Sequence, residues 1–195
     1  MKKYIIIAGV NGAGKSTLYE TLDSLKNIER INTDEIVKKF GDWRNSRDVM
    51  KAGKLAVEKI KEYFENGDSF NQETTLCGNS ILKNIEIAKR LGYFIEVHYV
   101  GVESVDIAKE RISYRVEHGG HGIPDADVER RYVESFEHLN MIIDLCDLVV
   151  FYDNTIGFNR FAVKRDNKMF ITSQEVPKWF GRIHKSDSKV TLHAQ

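Results

Sequence analysis

Nine residues near the start of the chain limit its possible folds more than any other feature. Gly9-Val10-Asn11-Gly12-Ala13-Gly14-Lys15-Ser16-Thr17 fits the pattern G-x-x-x-x-G-K-[ST]. A continuous apolar run at residues 4–10 precedes it and reads as a buried parallel strand. Residues 15–27 follow it and read as a helix. Strand, glycine-rich turn and helix together are the setting in which this pattern binds a nucleoside triphosphate. Gly9, Gly12 and Gly14 let the backbone curl with its N–H groups turned inward, and the helix N-terminus adds a favourable dipole. Lys15 then supplies a cation to the β- and γ-phosphates, and Ser16 a hydroxyl to Mg²⁺. Asn11, Ala13 and Thr17 complete the expected nucleotide-binding loop.

The rest of the chain alternates strands with helices. Strands are expected at residues 29–32, 69–72, 93–100 and 147–152. Helices are expected at 49–66, 79–91 and 104–116, the last capped by Ser104, and from Asp125 onward with Asp125 as its cap. Residues 161–165 and 168–172 flank Asp166-Asn167, a hairpin turn. This order predicts an α/β P-loop NTPase, nucleoside-kinase-like, with a mostly parallel five-stranded sheet flanked by helices and a small C-terminal β-hairpin. With 195 residues and no Pro-, Ser- or Gly-rich linker, one domain over residues 1–185 is expected, followed by a polar tail at 186–195.

Composition removes several function classes. Twenty-nine basic and 29 acidic side chains give zero net charge, which argues against nucleic-acid binding through overall charge. No apolar run approaches a membrane span, and the N-terminal one is too short for a signal peptide. Cys77 and Cys146 lie far apart, and two free thiols suit a reducing cytosol.

Ligands in such sheets sit beyond the carboxyl ends of the strands. The guanine-reading Asn/Thr-Lys-x-Asp of GTPases is absent, as are the transporter-ATPase signature and an apolar strand ending in Asp-Glu. Small-molecule kinases instead place a carboxylate after the second strand, and Asp34 stands there, also suited to a helix start. Asp34 is therefore the expected base for an acceptor hydroxyl. Glu73, Thr74 and Thr75 end the third strand and are expected to line the acceptor site. Arg111 and Arg115 share a helix face, and Arg130 and Arg131 begin the next helix beyond a Gly-rich connector. Residues 111–131 thus read as an Arg-bearing lid that clamps phosphate charge. His118 and His121 lack partner carboxylates at ligand spacing, and Trp43 and Trp179 read as packing residues. The same elements would serve a nucleoside or nucleotide kinase. A regulatory ATP-binding module would need the loop but not Asp34.

Together these features resemble the zeta-toxin family of P-loop kinases over roughly residues 3–172. The resemblance rests on residues 9–17, Asn32-Thr33-Asp34, Glu73-Thr74-Thr75, Arg130-Arg131-Tyr132 and Phe151-Tyr152-Asp153-Asn154. Gly119-Gly120-His121-x-Ile123-Pro124 is similar to a stretch of a chromosomal branch of that family. The resemblance implies a kinase using ATP and Mg²⁺, with a nucleotide sugar such as UDP-N-acetylglucosamine as acceptor and an antitoxin as possible partner. It implies Lys15 and Ser16 as phosphate and Mg²⁺ ligands and Asp34 as general base. It also implies Glu73 and Thr74 at the acceptor, and Arg115 with Arg130 or Arg131 as lid arginines.

Overall fold

A computed structural model of the chain describes residues 1–183 and the backbone pair Thr191–Leu192. The first strand, β1 (Lys3–Ala8), runs into the Gly-rich loop and helix α1 (Lys15–Thr21). The helix expected over residues 15–27 is broken: Leu22 is extended, with ψ 95°, and α2 (Asp23–Lys26) begins after it. Leu25 on that second piece packs against Ile5 and Ile7, a contact within the sheet's smaller apolar cluster. Next come β2 (Glu29–Ile31), α3 (Thr33–Lys38) and α4 (Ser46–Asn66). Then follow β3 (Phe70–Thr74), α5 (Ser80–Arg90), β4 (Phe94–Gly101), α6 (Val105–Glu117) and α7 (Asp125–Ile142). Strands β5 (Leu148–Asp153), β6 (Asn159–Arg165), β7 (Lys168–Ile171) and β8 (Thr191–Leu192) close the order.

The strands form one sheet in the order β2-β3-β1-β4-β5-β6-β7-β8. The first five in that order are parallel, as expected. The hairpin does not stand apart: β6 pairs antiparallel with β5 and β7 with β6, so it extends the main sheet. Its turn residues Asp166 and Asn167 have φ of 50° and 56°, which short polar side chains tolerate and which matches strand twist. The expected tail at 186–195 lies outside the described residues, apart from β8.

Alternation along the strands sorts the core. Tyr4, Ile6 and Ala8 face the large cluster, where α4 contributes Ala56, Ile60 and Phe64 and α5 contributes Ile81, Ile85 and Ala88. Ile5 and Ile7 face the other way. Helix boundaries follow local chemistry. Asn32 caps α3 by accepting from the N–H groups of Asp34 and Glu35, and Asn45 caps α4. Ser104 caps α6 as expected, whereas Asp125 does not cap α7. Pro124 takes that position, and Asp125 is the first helical residue, where a carboxylate still favours the helix dipole. Trp179 is buried among Tyr99, Phe136 and Phe161 and donates its indole N–H to Asp153 at 2.7 Å. No described helix is long and apolar enough to cross a membrane.

Away from the loop, β4 carries a buried polar chain. Glu96 accepts from Lys3 Nζ at 3.1 Å and pairs with His98 Nε2 at 2.8 Å, and His98 Nδ1 meets the Tyr152 hydroxyl at 3.1 Å. The His98 hydrogen bond holds the Glu96 carboxyl below its ordinary value, against the opposing effect of burial. A carboxyl depressed in the folded state stabilises above its unfolded pKa, about 4.3, and that contribution fades as pH falls through the folded value. Glu96→Gln is therefore expected to lower stability by about 2 kcal/mol at pH 7. Urea unfolding should show the difference shrinking below about pH 4.

Candidate active site

The Gly-rich loop lies at the carboxyl edge of the sheet, between the ends of β3 and β4. Gly9 has φ 142°, and a Cβ there would sit 2.2 Å from the Val100 carbonyl oxygen, so only glycine lets β1 leave the sheet this way. Gly14, left-handed at φ 103°, turns the chain into α1. The Ala13 carbonyl is held by Asn154 Nδ2 at 2.8 Å, which ties the loop to the end of β5. Lys15 is buried and donates to the Val10 carbonyl at 3.1 Å. Burial pushes its pKa down, and Glu73 and Asp34 oppose that shift.

Period two on β3 divides the work at this edge. Gln72 and Thr74 lie on the side of α4 and α5, and Glu73 turns toward α1. Ser16 Oγ lies 3.0 and 3.2 Å from the two Glu73 carboxylate oxygens and donates to them. Arg30 Nη2 at 2.6 Å and Asn32 Nδ2 at 2.8 Å fix the same carboxylate. A hydroxyl beside an anchored carboxylate, next to a phosphate loop, is a donor set that fits Mg²⁺, which takes few protein ligands and completes its shell with phosphate and water. Among the described residues there is no cluster of three His, Cys, Asp or Glu side chains for a more demanding metal.

Two cavities open at this edge. One, of about 660 Å³, lies over the loop and is lined by Gly12, Gly14, Ser16, Thr17, Arg115 and Phe158 among others. The second, of about 610 Å³, lies between α4 and α5, with Ala56, Ile60 and Ile87 as an apolar wall and Thr74, Thr75 and Lys83 as polar contacts. Asn11, Lys15, Asn32, Asp34 and Glu73 line both. Asp34 is at the second position of α3, since Asn32 is the cap, and its side chain is 45% exposed at the junction. Thr74 Oγ1 also accepts from the Leu76 N–H and shapes the turn after β3.

The lid arginines separate. Arg115 projects from α6 into the loop cavity, and its buried Nε and Nη2 find no hydrogen-bond partner among the described residues. A buried guanidinium left open is costly unless an anion completes it. Arg131 Nη1 donates to Asn11 Oδ1 at 3.0 Å and so reaches the loop from α7. Arg130 does not: it is exposed on the outer face and pairs with Asp127 and Glu134 at 2.9 Å. Adjacent helical positions point about 100° apart, so only one of the two can face the loop. Arg115→Ala and Arg131→Ala are each expected to lower kcat more than they raise the KM for ATP, because these cations matter most where transition-state charge develops. Steady-state kinetics checks this, and a change in KM alone would make them ground-state binders.

Several residues make contacts at the site that motif reading does not show. Arg30 and Asn32 read as part of a strand, yet they hold Glu73. Arg111 Nη2 donates to the Asn154 and Thr155 carbonyls and pins the segment after β5. His121 lies with Nδ1 3.6 Å from Asp34 Oδ1 and stacks on Trp43, with ring centroids 4.8 Å apart.

Known proteins resemble the chain in sequence or in fold. An uncharacterized protein of Haemophilus influenzae is 33% identical over 130 residues, which are 67% of this chain and 92% of the relative. The AvrRxo1-ORF1:AvrRxo1-ORF2 complex with sulphate ions superposes with a TM-score of 0.74 at 14% identity, covering 98% of this chain and 66% of that one. The PezAT chromosomal toxin–antitoxin system of Streptococcus pneumoniae gives a TM-score of 0.56 at 17% identity, covering 78% of this chain and 68% of that one. The two structural likenesses show a shared fold. The zeta toxin family model matches residues 1–175, nearly the whole described structure, and the chain belongs to the zeta-toxin family.

Proposed function

We propose that this protein is an ATP- and Mg²⁺-dependent phosphotransferase that moves the γ-phosphoryl group of ATP to a hydroxyl of a small molecule. The observation that carries the reading is the pair of cavities joined at Asn11, Lys15, Asn32, Asp34 and Glu73. One cavity has the loop for a triphosphate, and the other has room for an acceptor. A nucleotide sugar such as UDP-N-acetylglucosamine is the acceptor we favour. The amides and hydroxyls of the second cavity suit a polyhydroxylated ligand, and Lys83 suits its phosphate charge. An AvrRxo1-ORF1:-ORF2 structure with ATP, at a TM-score of 0.72, supports the choice of nucleotide. The PezAT likeness supports an antitoxin protein as partner. The free thiols Cys77 and Cys146 fit a cytoplasmic setting.

In this mechanism the acceptor hydroxyl loses its proton to the Asp34 carboxylate as its oxygen bonds to the γ-phosphorus. The bond from that phosphorus to the β,γ-bridging oxygen breaks, and ADP leaves with the electron pair. Lys15, Arg115 and Arg131 balance the charge that develops on the phosphoryl oxygens. Ser16 and Glu73 would hold Mg²⁺, which when bound neutralises phosphate charge. The test is incubation of the purified protein with ATP, Mg²⁺ and a panel of nucleotide sugars, nucleosides and nucleotides, reading product mass. One phosphoryl group gained by a nucleotide sugar is the expected result. Gain by a nucleoside or nucleotide would reassign the acceptor. ATP bound without transfer to any acceptor would favour a regulatory nucleotide-binding module.

A further inference from the structure

The segment joining α6 to α7 brings a histidine onto the residue proposed as base. We propose that His121 is a positioning residue: carried on the segment between α6 and α7, it fixes the Asp34 carboxylate in the orientation a base needs. This rests on the phosphotransferase reading of the site.

Four observations support it. His121 Nδ1 is 3.6 Å from Asp34 Oδ1, and its side chain is 17% exposed, against 45% for the carboxylate it faces. Its ring lies 19° from parallel with the Trp43 indole, and the Arg44 guanidinium sits 4.3 Å from the same indole. Trp43 belongs to the connector between α3 and α4, so the stack joins the lid to the elements that carry Asp34. Gly122 permits this approach, because a Cβ there would lie 2.9 Å from Val116 and 3.1 Å from Trp43. The same loop is tied to the phosphate-facing arginine, since the Gly120 N–H donates to the Arg115 carbonyl at 2.8 Å. One connected segment therefore holds Arg115 in the loop cavity and His121 beside Asp34.

The chemistry also suits the role. His121 faces Asp34 and Lys38 from α3, Arg115 from α6 and Arg131 from α7. Burial pushes its pKa down, Asp34 opposes this, and the three cations add to the fall. A neutral imidazole can orient a carboxylate by one N–H, whereas an imidazolium would weaken that carboxylate as a base. At 3.6 Å the pair is just beyond hydrogen-bond length, and such contacts tighten when the substrate complex forms.

The test is a double-mutant cycle in the whole protein, using His121→Ala, His121→Gln and Asp34→Asn with ATP, Mg²⁺ and UDP-N-acetylglucosamine. His121→Ala should lower kcat about 10- to 100-fold, the cost of a misplaced reacting group, with ATP KM changed by less than about two-fold. His121→Gln, which retains an N–H donor, should recover most of the rate. On an Asp34→Asn background, His121→Ala should cost less than about two-fold more, because the group it positions is already gone. Equal losses in both backgrounds, or a loss in KM alone, would overturn the proposal. Absence of transfer in the wild type would count against the phosphotransferase reading instead. The pairing is then read separately by NMR titration: the His121 pKa should fall on Asp34→Asn, and an unchanged value would overturn it.

Discussion

Asp34→Asn is expected to bind ATP with near-wild-type affinity and to transfer phosphate at least about 100-fold more slowly. Asparagine keeps the size of the side chain, and Asn32 rather than Asp34 caps α3, so the fold should survive. What is lost is an acceptor for the hydroxyl proton where the two cavities meet. The competing carboxylate is poorly suited to that task. Glu73 already accepts from Ser16, Arg30 and Asn32, and that fixes it beside the loop. Calorimetric ATP binding and single-turnover transfer on one preparation check the prediction. Transfer within a few-fold of wild type would move the role of base to Glu73.

Lys15→Ala is expected to lower transfer by about 100- to 1,000-fold or more and to weaken ATP binding as well. Lys15 is buried at the floor of both cavities, and its Nζ is held by the Val10 carbonyl, already aimed along the loop. Its removal leaves the β- and γ-phosphate charge with no cation on the loop itself. Unlike the change at Asp34, it acts on the ground state and the transition state together, so ATP affinity and rate should fall in the same protein. Undiminished turnover by a folded Lys15→Ala protein would contradict a phosphate-binding role for the loop.

The order of elements was legible because hydrophobic runs and glycine breaks are local properties. The parallel strands at β1, β3, β4 and β5, and the helices between them, fall within a few residues of expectation. The break at Leu22 was not legible, since residues 15–27 carry neither Gly nor Pro, and tertiary contact places Leu25 on Ile5 and Ile7. The hairpin's place in the main sheet was hidden for a similar reason: strand partners are set by long-range pairing. The motif gave the loop, and strand order gave Asp34 and Glu73. The sequence left open which arginine faces the loop, and one helical step decides it: Arg131 meets Asn11, and Arg130 pairs outward. Arg30, Asn32 and His121 act through partners 43, 41 and 87 positions away, so their contacts are not legible, although Asn32 and His121 lie within short patterns.

The central claim is geometric: a triphosphate in the first cavity must present its γ-phosphate to Asp34 at the mouth of the second. A crystal structure with Mg²⁺ and a non-hydrolysable ATP analogue tests it most directly. The expected result places the γ-phosphate between Lys15 and Arg115, the metal at Ser16 and Glu73, and the α4–α5 cavity open for an acceptor beside Asp34. A triphosphate whose γ-phosphate points away from Asp34, or one that itself fills the α4–α5 cavity, would contradict the account.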